Sequence, residues 1–510
     1  MDPAASTTSA VPLLAVLVSL AAVPAILLSS RRPNLREFWT LAAALAKFGL
    51  VLALVPGARR GEAVGIRLLE LAPGIGLSLT ADPLGVLFAV IASGLWLVTS
   101  VYSIGYLRGS GERKQTRYYA SFALSLASTV GVAFADNLLT FLLFYEMLTL
   151  ATYPLVVHKE TPEAVRAGRM YLAYALTAGL VFMAASAWVY FRTGTLEFRA
   201  GGAIAPGAFS AGELKALFAM FLVGVGVKAA VIPLHSWLPV AMVAPTPVSA
   251  LLHAVAVVKS GVFGVLRVTG YVFGWEVMSA LSLDLVLAVV AGTTVIAASL
   301  LAMRQDNLKA RLAYSTVGHL AYIVLGAALI SPAALRGSLL HLAAHALMKI
   351  TLFFCAGAIY VQTHKTAVSQ LNGLGRTMPW TFGAFAVGAL GLAGVPPING
   401  FVSKWWLCLG TLEAGQQAGL AVFLLSGLLN AGYLFPIVIR GFFCPAPADA
   451  VHGAVPAGEA SAWMVAPLCV TAALALVFGL IPDFPVPLFE LTSRVVEAVA
   501  GAGPPQFAGP

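Results

Sequence analysis

The residues of this chain that could do chemistry are ionisable side chains set inside otherwise apolar stretches: Glu146, Lys228, His253, Lys259, His319, His341, His345, Lys349 and Lys404. A charge at the centre of a bilayer costs at least about 2.5 to 3.5 kcal/mol, so a chain that keeps several must face them inward, pair them or hydrate them. Glu146 lies in FLLFYEMLTLATYPLV, at mid-depth for a helix rising about 1.5 Å per residue. Thr149 and Tyr153, at i+3 and i+7, share its face. Read by itself, Glu146 is either a functional intramembrane acid or a protonated one that glues helices. Lys228 stands shortly before Pro233, and Glu146 and Lys228 are expected to be the only acid and base buried this deeply in the first half. Pairing them is the simplest solution. An opposite charge within about 4 to 6 Å keeps both ionised, while separation lets burial release the lysine proton, so a movable pair is a proton switch.

His253 and Lys259 fall on different faces of one helical stretch, which predicts a relay through water rather than a direct bond. A structural, hydrogen-bonding His253 is the competing reading. His319 sits at mid-span in the next half, and His341, His345 and Lys349 follow at i, i+4 and i+8 along one face. Imidazole titrates near physiological pH, which suits a proton relay. A metal site is the weaker reading, because these histidines have no carboxylate ligand near them, and no metal or cofactor is expected. Lys404 follows Pro396 and Pro397 in GLAGVPPINGFVSKWW, much as Lys228 accompanies Pro233 in VKAAVIPLHSWLP. Asp82, opening TADPLGVLF, reads as a helix N-cap.

The elements that position these groups follow from composition. Hydrophobic residues make up 60% and charged residues 10%, far from the quarter that is charged in soluble domains, which makes the chain an all-α polytopic membrane protein. About fourteen apolar stretches are long enough to span, near 10–30, 38–57, 81–106, 118–135, 138–157, 169–192, 214–240, 246–269, 280–303, 310–330, 333–362, 380–410, 418–443 and 462–482. The seventh and twelfth are broken by proline. Pro/Gly-interrupted segments at corresponding places in two halves point to inverted repeats, here 118–270 and 280–443, with scaffold helices over 1–117 and a cytoplasmic loop and last helix over 444–510. Asp306-Asn307-Leu308 echoes Asp136-Asn137-Leu138. The spacing of Gly388, Gly391 and Gly394 reads as close helix packing, since no strand precedes it.

The net charge of +9 is informative through its placement. Basic residues gather in loops after odd-numbered spans: Arg31, Arg32 and Arg36; Arg108, Arg113, Lys114 and Arg117; Lys159, Arg166 and Arg169; Arg304, Lys309 and Arg311; Lys365 and Arg376. The positive-inside rule puts these loops in the cytoplasm of a multi-pass cell-membrane protein and both termini outside it. No cleavable signal peptide is expected, because no basic region precedes the first apolar run. Short separate basic loops do not make a nucleic-acid-binding stripe. Cys355, Cys408, Cys444 and Cys469 have no paired spacing, so neither a disulfide framework nor a metal cluster is expected.

Taken together, FYEMLTLATYPLV, the block from VKAAVIPLHSWLP to VVKSG, LKARLAYSTVGHLAYI, HALMKITLFFCAG and GVPPINGFVSKWW resemble the antiporter-like membrane subunits shared by respiratory complex I, Mrp-type cation/proton antiporters and membrane-bound hydrogenases. The likeness runs over roughly residues 80–445. It implies fourteen helices, inverted five-helix repeats, two broken helices and proton movement through two linked half-channels, within a hetero-oligomeric complex that can couple protons to Na⁺ or K⁺. By the same resemblance, Glu146 and Lys228 are the charged pair and Lys259 the relay toward the centre. His319, His341, His345 and Lys349 form the central path, and Lys404 is the terminal switch. Many members carry Asp after the WLP of the first broken helix, where this chain has Val240, so the resemblance leaves its cytoplasmic access unassigned. Lys404 resembles the Mrp D-type subunit and the smaller complex I subunit, and an Mrp D-type or hydrogenase-type subunit is the first expectation. A complex I subunit of the NADH:quinone oxidoreductase type, a redox or quinone-reacting subunit, a structural scaffold and a standalone solute transporter are the alternatives.

Overall fold

The computed structural model describes residues 7–205, 207–445 and 458–501. Most of the stretch 444–461 and the terminal GPPQFAGP lie outside the described residues. The described chain is mostly helical, as an apolar chain in lipid must be to satisfy its own backbone. A small sheet precedes and follows the first helices: β1 (Thr7–Thr8) runs parallel to β2 (Val64–Ala72), which pairs antiparallel with β3 (Ile75–Ala81). The helices then run in order: α1 (Val11–Leu28), α2 (Pro33–Leu52), α3 (Val55–Arg59), α4 (Pro83–Gly109), α5 (Gln115–Ala133), α6 (Leu138–Val156), α7 (Pro162–Thr193) and α8 (Ala211–Ala229). After a break come α9 (Trp237–Val240), α10 (Thr246–Ala254), α11 (Val257–Arg267) and α12 (Gly274–Ala280), the last two joined by a π-helical stretch. The chain continues through α13 (Leu283–Met303), α14 (Leu308–Ala328), α15 (Pro332–Thr363), α16 (Leu374–Thr377), α17 (Pro379–Ala393), α18 (Asn399–Glu413), α19 (Gln417–Phe443), α20 (Ala462–Leu480) and α21 (Leu488–Ala500).

Among the described residues, 10 helices are long and apolar enough to cross a membrane, where about fourteen spans were expected. The remaining membrane-length segments are α5, α8, α14 and the α17–α18 pair. α8 carries Glu213 and Lys215 as well as Lys228, α14 carries Lys309 and Arg311 as well as His319, and the pair bearing Lys404 is divided by its break into two helices of 15 residues each. α10–α12 and α15 are buried along their whole apolar windows and form the centre of the bundle. Side-chain caps fix where helices begin. Asp82, Asn137, Thr161, Asn307 and Ser331 each accept the backbone N–H three residues on, and Ser210 forms a capping box with Glu213. Asp82 does more than cap: both its oxygens accept from the Arg267 guanidinium, at 2.7 and 2.8 Å.

The breaks leave backbone groups that the fold satisfies internally. Between α8 and α9, the Trp237 indole donates to Val227 O at 2.8 Å and Thr294 Oγ1 accepts from Ile232 N at 3.1 Å. Between α17 and α18, Gly394 adopts φ +96°, which only glycine tolerates freely, and the Leu392 carbonyl is taken up by side chains described below.

Several departures from the sequence reading have physical causes. The stretch read as a single span over 246–269 is interrupted at Val255–Ala256, between α10 and α11, although no proline marks the place. Arg166 and Arg169 lie within α7, which starts at its Pro162 rather than near 169. The β2–β3 hairpin was not expected, because its alternation is diluted by adjacent leucines. Nor was α21, a 13-residue helix after α20 whose buried Leu488, Leu491, Val495 and Val499 recur at helical spacing.

The basic loops meet at one end of the bundle. Arg36 donates to Gln115 at 2.7 Å, Arg108 to Glu37 at 2.5 Å, and Lys114 and Arg117 both bind Glu160. Those two cations pull the Glu160 carboxyl down to about 2. In the same turn, burial, assisted by the Arg117 charge, pushes His158 down to about 4 and keeps it neutral at pH 7.

Candidate functional site

Glu146 and Lys228 make no direct salt bridge, but they lie close enough for each to feel the other's charge. Lys228, fully buried at the end of α8, donates to the Tyr145 carbonyl and lies 3.3 Å from the centre of the Tyr145 ring. The Tyr145 hydroxyl in turn donates to Gly224 O at 3.1 Å, one turn before the lysine. Successive helical residues point about 100° apart, so a Tyr145 committed to α8 turns Glu146 away from it. The carboxylate faces α7 at Gly179, where a methyl group would collide with Oε1. Both its oxygens lack a hydrogen-bond partner. Thr149, on the same face as expected, lies beside the carboxylate and donates to Tyr145 O at 3.3 Å.

A second correction concerns the expectation that Glu146 and Lys228 are the only deep charges of the first half. Lys47 of α2 is also fully buried, donating to Leu126 O at 2.9 Å with the Trp96 ring 5.4 Å away. Its amine is engaged by α4 and α5, away from the other candidate residues.

His253 and Lys259 are both fully buried, on α10 and α11 respectively. The break between them means that helical-wheel arithmetic does not relate their faces. Neither His253 nitrogen nor Lys259 Nζ has a hydrogen-bond partner, and the His253 ring packs 5.0 Å from Phe353 of α15. Close packing brings α11 against the lysine of α8: a Cβ on Gly261 would strike the backbone at Lys228–Ala229.

The second half holds a denser cluster. His319 Nδ1 lies 3.1 Å from His341 Nε2, and His341 Nδ1 lies 2.9 Å from Ser403 Oγ. The His345 ring stacks 5.5 Å from His319, with neither of its nitrogens bonded. Tyr322 stacks on His319 and His341, at 5.2 Å from each. Lys349 donates to Ser315 Oγ at 2.7 Å, and Lys404 donates to Leu392 O at 2.6 Å and Ala393 O at 3.2 Å. An ammonium on the last carbonyls of α17 is the favourable placement for a cation at a helix C-terminus.

Lys349 and Lys404 are joined by residues that the sequence reading missed. Tyr433 Oη is 2.8 Å from Ser315 Oγ and donates to Asn430 Oδ1 at 2.7 Å, while Asn430 Nδ2 donates to the same Leu392 O at 3.2 Å. Asn430 and Tyr433, three apart in the apolar GLLNAGYLF, did carry a signal: a buried amide and a tyrosine on one helix face. Ser403 stood next to Lys404 without any signal. Among the described residues, no three His, Cys, Asp or Glu side chains converge to hold a metal ion. What the arrangement can do is pass protons: His319, His341 and Ser403 form one hydrogen-bonded run and Lys349, Ser315, Tyr433 and Asn430 another, while the acid and base of the first half feel each other without a direct bond.

At the basic end, a cavity of about 240 Å³ opens between Lys159, Lys309, Lys365, Tyr106, Tyr360 and Thr246, the first residue of α10. Val240, on α9 beside this region, is 39% exposed.

Residues 135–430 match the family described as NADH:quinone oxidoreductase/Mrp antiporter, TM. The chain is 34% identical to the N-type subunit of NADH-quinone oxidoreductase from Desulforudis audaxviator, over 96% of this chain and 98% of that protein. It is 28% identical to the D-type subunit of the Na⁺/H⁺ antiporter from Alkalihalophilus pseudofirmus, over 85% and 86%. Its fold matches a component of the Mrp complex from Dietzia sp. DQ12-45-1b with a TM-score of 0.84 at 24% identity, covering 96% of this chain and 97% of that one. With the family match extending over more than half its length, this multi-pass membrane chain belongs to the NADH:quinone oxidoreductase/Mrp antiporter transmembrane family.

Proposed function

We propose that the protein is a proton-translocating, antiporter-like subunit of a multi-subunit membrane complex, without a redox centre of its own. The observation that carries the reading is the series that runs from half-buried Glu146 through the buried Lys228, Lys259, His345 and His319–His341 to Lys349–Ser315–Tyr433–Asn430, whose amide shares the Leu392 carbonyl with Lys404, much of it on the wholly buried centre of the bundle. Intramembrane ionisable groups on such a scale mark ion or proton pathways. The relatives named for Na⁺/H⁺ antiport and for NADH-quinone oxidoreduction support the class, and leave either an Mrp-type or a complex I-type assembly as the host.

The finer architecture we read as fourteen spans, adding α5, α8, α14 and α17–α18 to the 10 apolar helices. Two inverted repeats are supported by a constant offset in numbering. The same shift carries N-cap Asn137 onto N-cap Asn307, α7 onto α15, both 32 residues long, and the bridge Asn137–Glu197 onto Asn307–Ala367. Under it, Gly179 corresponds to Lys349 and Glu146 to Thr316, so the Glu146–Gly179 contact falls where α14 and α15 meet and Lys349 donates to Ser315, the residue before Thr316. The basic loops at one end support a cytoplasmic face there, with both termini on the other side of the cell membrane. The 240 Å³ cavity above Thr246 is then the cytoplasmic access, in place of an acid at Val240.

The test is proton movement in proteoliposomes of the intact complex. Lys228→Ala or Glu146→Gln abolishes it without disassembling the complex; retained transport in either variant would overturn the assignment.

A further inference from the structure

The cavity of about 240 Å³ at the basic end is lined by charges of one sign. Lys159 comes from the turn between α6 and α7, Lys309 from the first turn of α14, and Lys365 from just past the end of α15. Among the described residues, no aspartate, glutamate or arginine lines the space. Segments far apart in sequence thus bring three ammonium groups together. Four other cations at this end have carboxylates of their own: Arg36 and Arg108 bind Glu37, and Lys114 and Arg117 bind Glu160. Lys159, Lys309 and Lys365 form no salt bridge among the described residues.

The fold sets where these amines lie. Lys309 Nζ donates to Ala244 O at 2.6 Å, which leaves two of its three N–H groups for another partner. Lys159 Nζ lies 5.9 Å from the centre of the Tyr360 ring. Lys365 and Tyr360 are partly exposed, and neither Lys365 Nζ nor Tyr360 Oη has a hydrogen-bond partner among the described residues. Lys159 and Lys309 are close enough to repel each other. The carboxylate that both feel is Glu112 of the α4–α5 turn, where burial pushes the carboxyl up against the pull of the two lysines. Three ammonium groups against one carboxylate leave a surplus of two positive charges. A cleft lined by one sign of charge concentrates counter-ions.

Charge and size narrow the guest. A phosphomonoester carries about −1.5 to −2 at pH 7, whereas a phosphodiester or a carboxylate carries a single charge. Lysine binds phosphate as a point charge, and the planar fork of arginine, which grips a carboxylate by two parallel bonds, is missing from the lining. At ~30 Å³ for a water-sized group, the five heavy atoms of a phosphate take about 150 Å³. The cavity therefore holds a phosphate group and a few waters, but not a whole nucleotide.

We propose that this cavity binds the phosphate group of a phosphomonoester, free in solution or carried on a lipid, held by Lys159, Lys309 and Lys365 with the Tyr360 hydroxyl donating to it. Bound there, the group stands over Thr246, the first residue of α10, and ties the starts of α10 and α14 to the end of α15. This inference does not rest on proton movement, and its test reads binding alone.

The test uses the full chain in its purified complex, in phosphatidylcholine nanodiscs, with radiolabelled inorganic phosphate as the probe in equilibrium dialysis. Unlabelled phosphate should compete at least tenfold better than dimethyl phosphate, which has the same centre but a single charge. Lys159→Gln and Lys365→Gln should each weaken binding about tenfold or more, the effect of losing one hydrogen bond to a charged group. The double variant should abolish it, and Lys114→Gln, whose lysine is committed to Glu160, should leave it unchanged. A second arm adds phosphatidic acid and phosphatidylglycerol to the nanodiscs in equal amounts and reads the retained lipid by native mass spectrometry. Phosphate binding in the first arm assigns the site to a free phosphomonoester. Selective retention of phosphatidic acid, lost in the double variant, assigns it to a lipid-borne one. Failure of both arms, equal competition by the monoester and diester probes, or equal binding by the wild type and the double variant overturns the proposal. The competition arms need no variant, so misfolding of a lysine variant does not blunt them.

Discussion

His319 Nδ1 and His341 Nε2 face each other at 3.1 Å across α14 and α15. A neutral imidazole has one donor and one acceptor nitrogen, so a proton held between two such rings belongs to whichever tautomer the outer contacts favour. His341 has its other nitrogen on Ser403 of α18, whereas His345 has neither nitrogen bonded. His341 is thus the imidazole that ties the central histidines to the helix bearing Lys404.

Replacing His341 by Leu should lower proton flux about 100-fold, the low end of what a positioned proton-transfer group contributes. It should also cost about 1 to 3 kcal/mol of stability, because the His319 nitrogen and the Ser403 hydroxyl lose a partner. Flux in proteoliposomes and the denaturation midpoint check the two effects separately.

The Tyr433 hydroxyl makes the same argument for the other connection. Tyr433→Phe removes one oxygen that touches both Ser315 and Asn430. A loss of about 1 to 3 kcal/mol and a flux reduced about tenfold or more are expected. A variant with unchanged flux would show that Lys349 and Lys404 communicate by another route.

Glu146 and Lys228 respond differently from a structural ion pair. Breaking a buried pair by removing one charge typically costs about 3 to 5 kcal/mol. Here the carboxylate makes no direct bond to Lys228, whose ammonium is held by Tyr145, so Glu146→Gln should lower stability by less than about 1 kcal/mol while stopping proton movement. A large stability loss would indicate that the pair forms in the working protein.

His158 predicts a pH dependence outside the membrane spans. Burial and Arg117 hold it at about 4, below its ordinary 6.5. Between those values the unfolded chain binds a proton that the folded chain refuses, so stability is full above about 6.5, falls as pH drops toward about 4, and changes no further from this group below that. Melting temperature against pH should show this slope in the wild type and lose it in His158→Gln. The same slope in both would assign it to another group.

The helices and their polar interruptions were legible in the sequence because lipid enforces length and hydropathy. The candidate ionisable residues were legible for the same reason, since a lysine or glutamate in an apolar run stands out. Side-chain direction was not. Tyr145 and Glu146 are neighbours, and only the packing of α8 decides which of them meets Lys228. The break at Val255–Ala256 carries no proline, so sequence spacing misrelated His253 to Lys259. Lys47 was overlooked although it obeys the same rule that exposed the others. Gly179 offered nothing, because a glycine that makes room for a carboxylate looks like one that makes room for a helix.

Lys349 and Lys47 allow the most direct test of the account, since both are fully buried lysines and only Lys349 belongs to the connected series. Proton flux should be measured in proteoliposomes of the intact complex carrying Lys349→Met or Lys47→Met, with assembly verified for each. The account predicts flux abolished by Lys349→Met and retained in Lys47→Met. Equal flux in the two variants would contradict it.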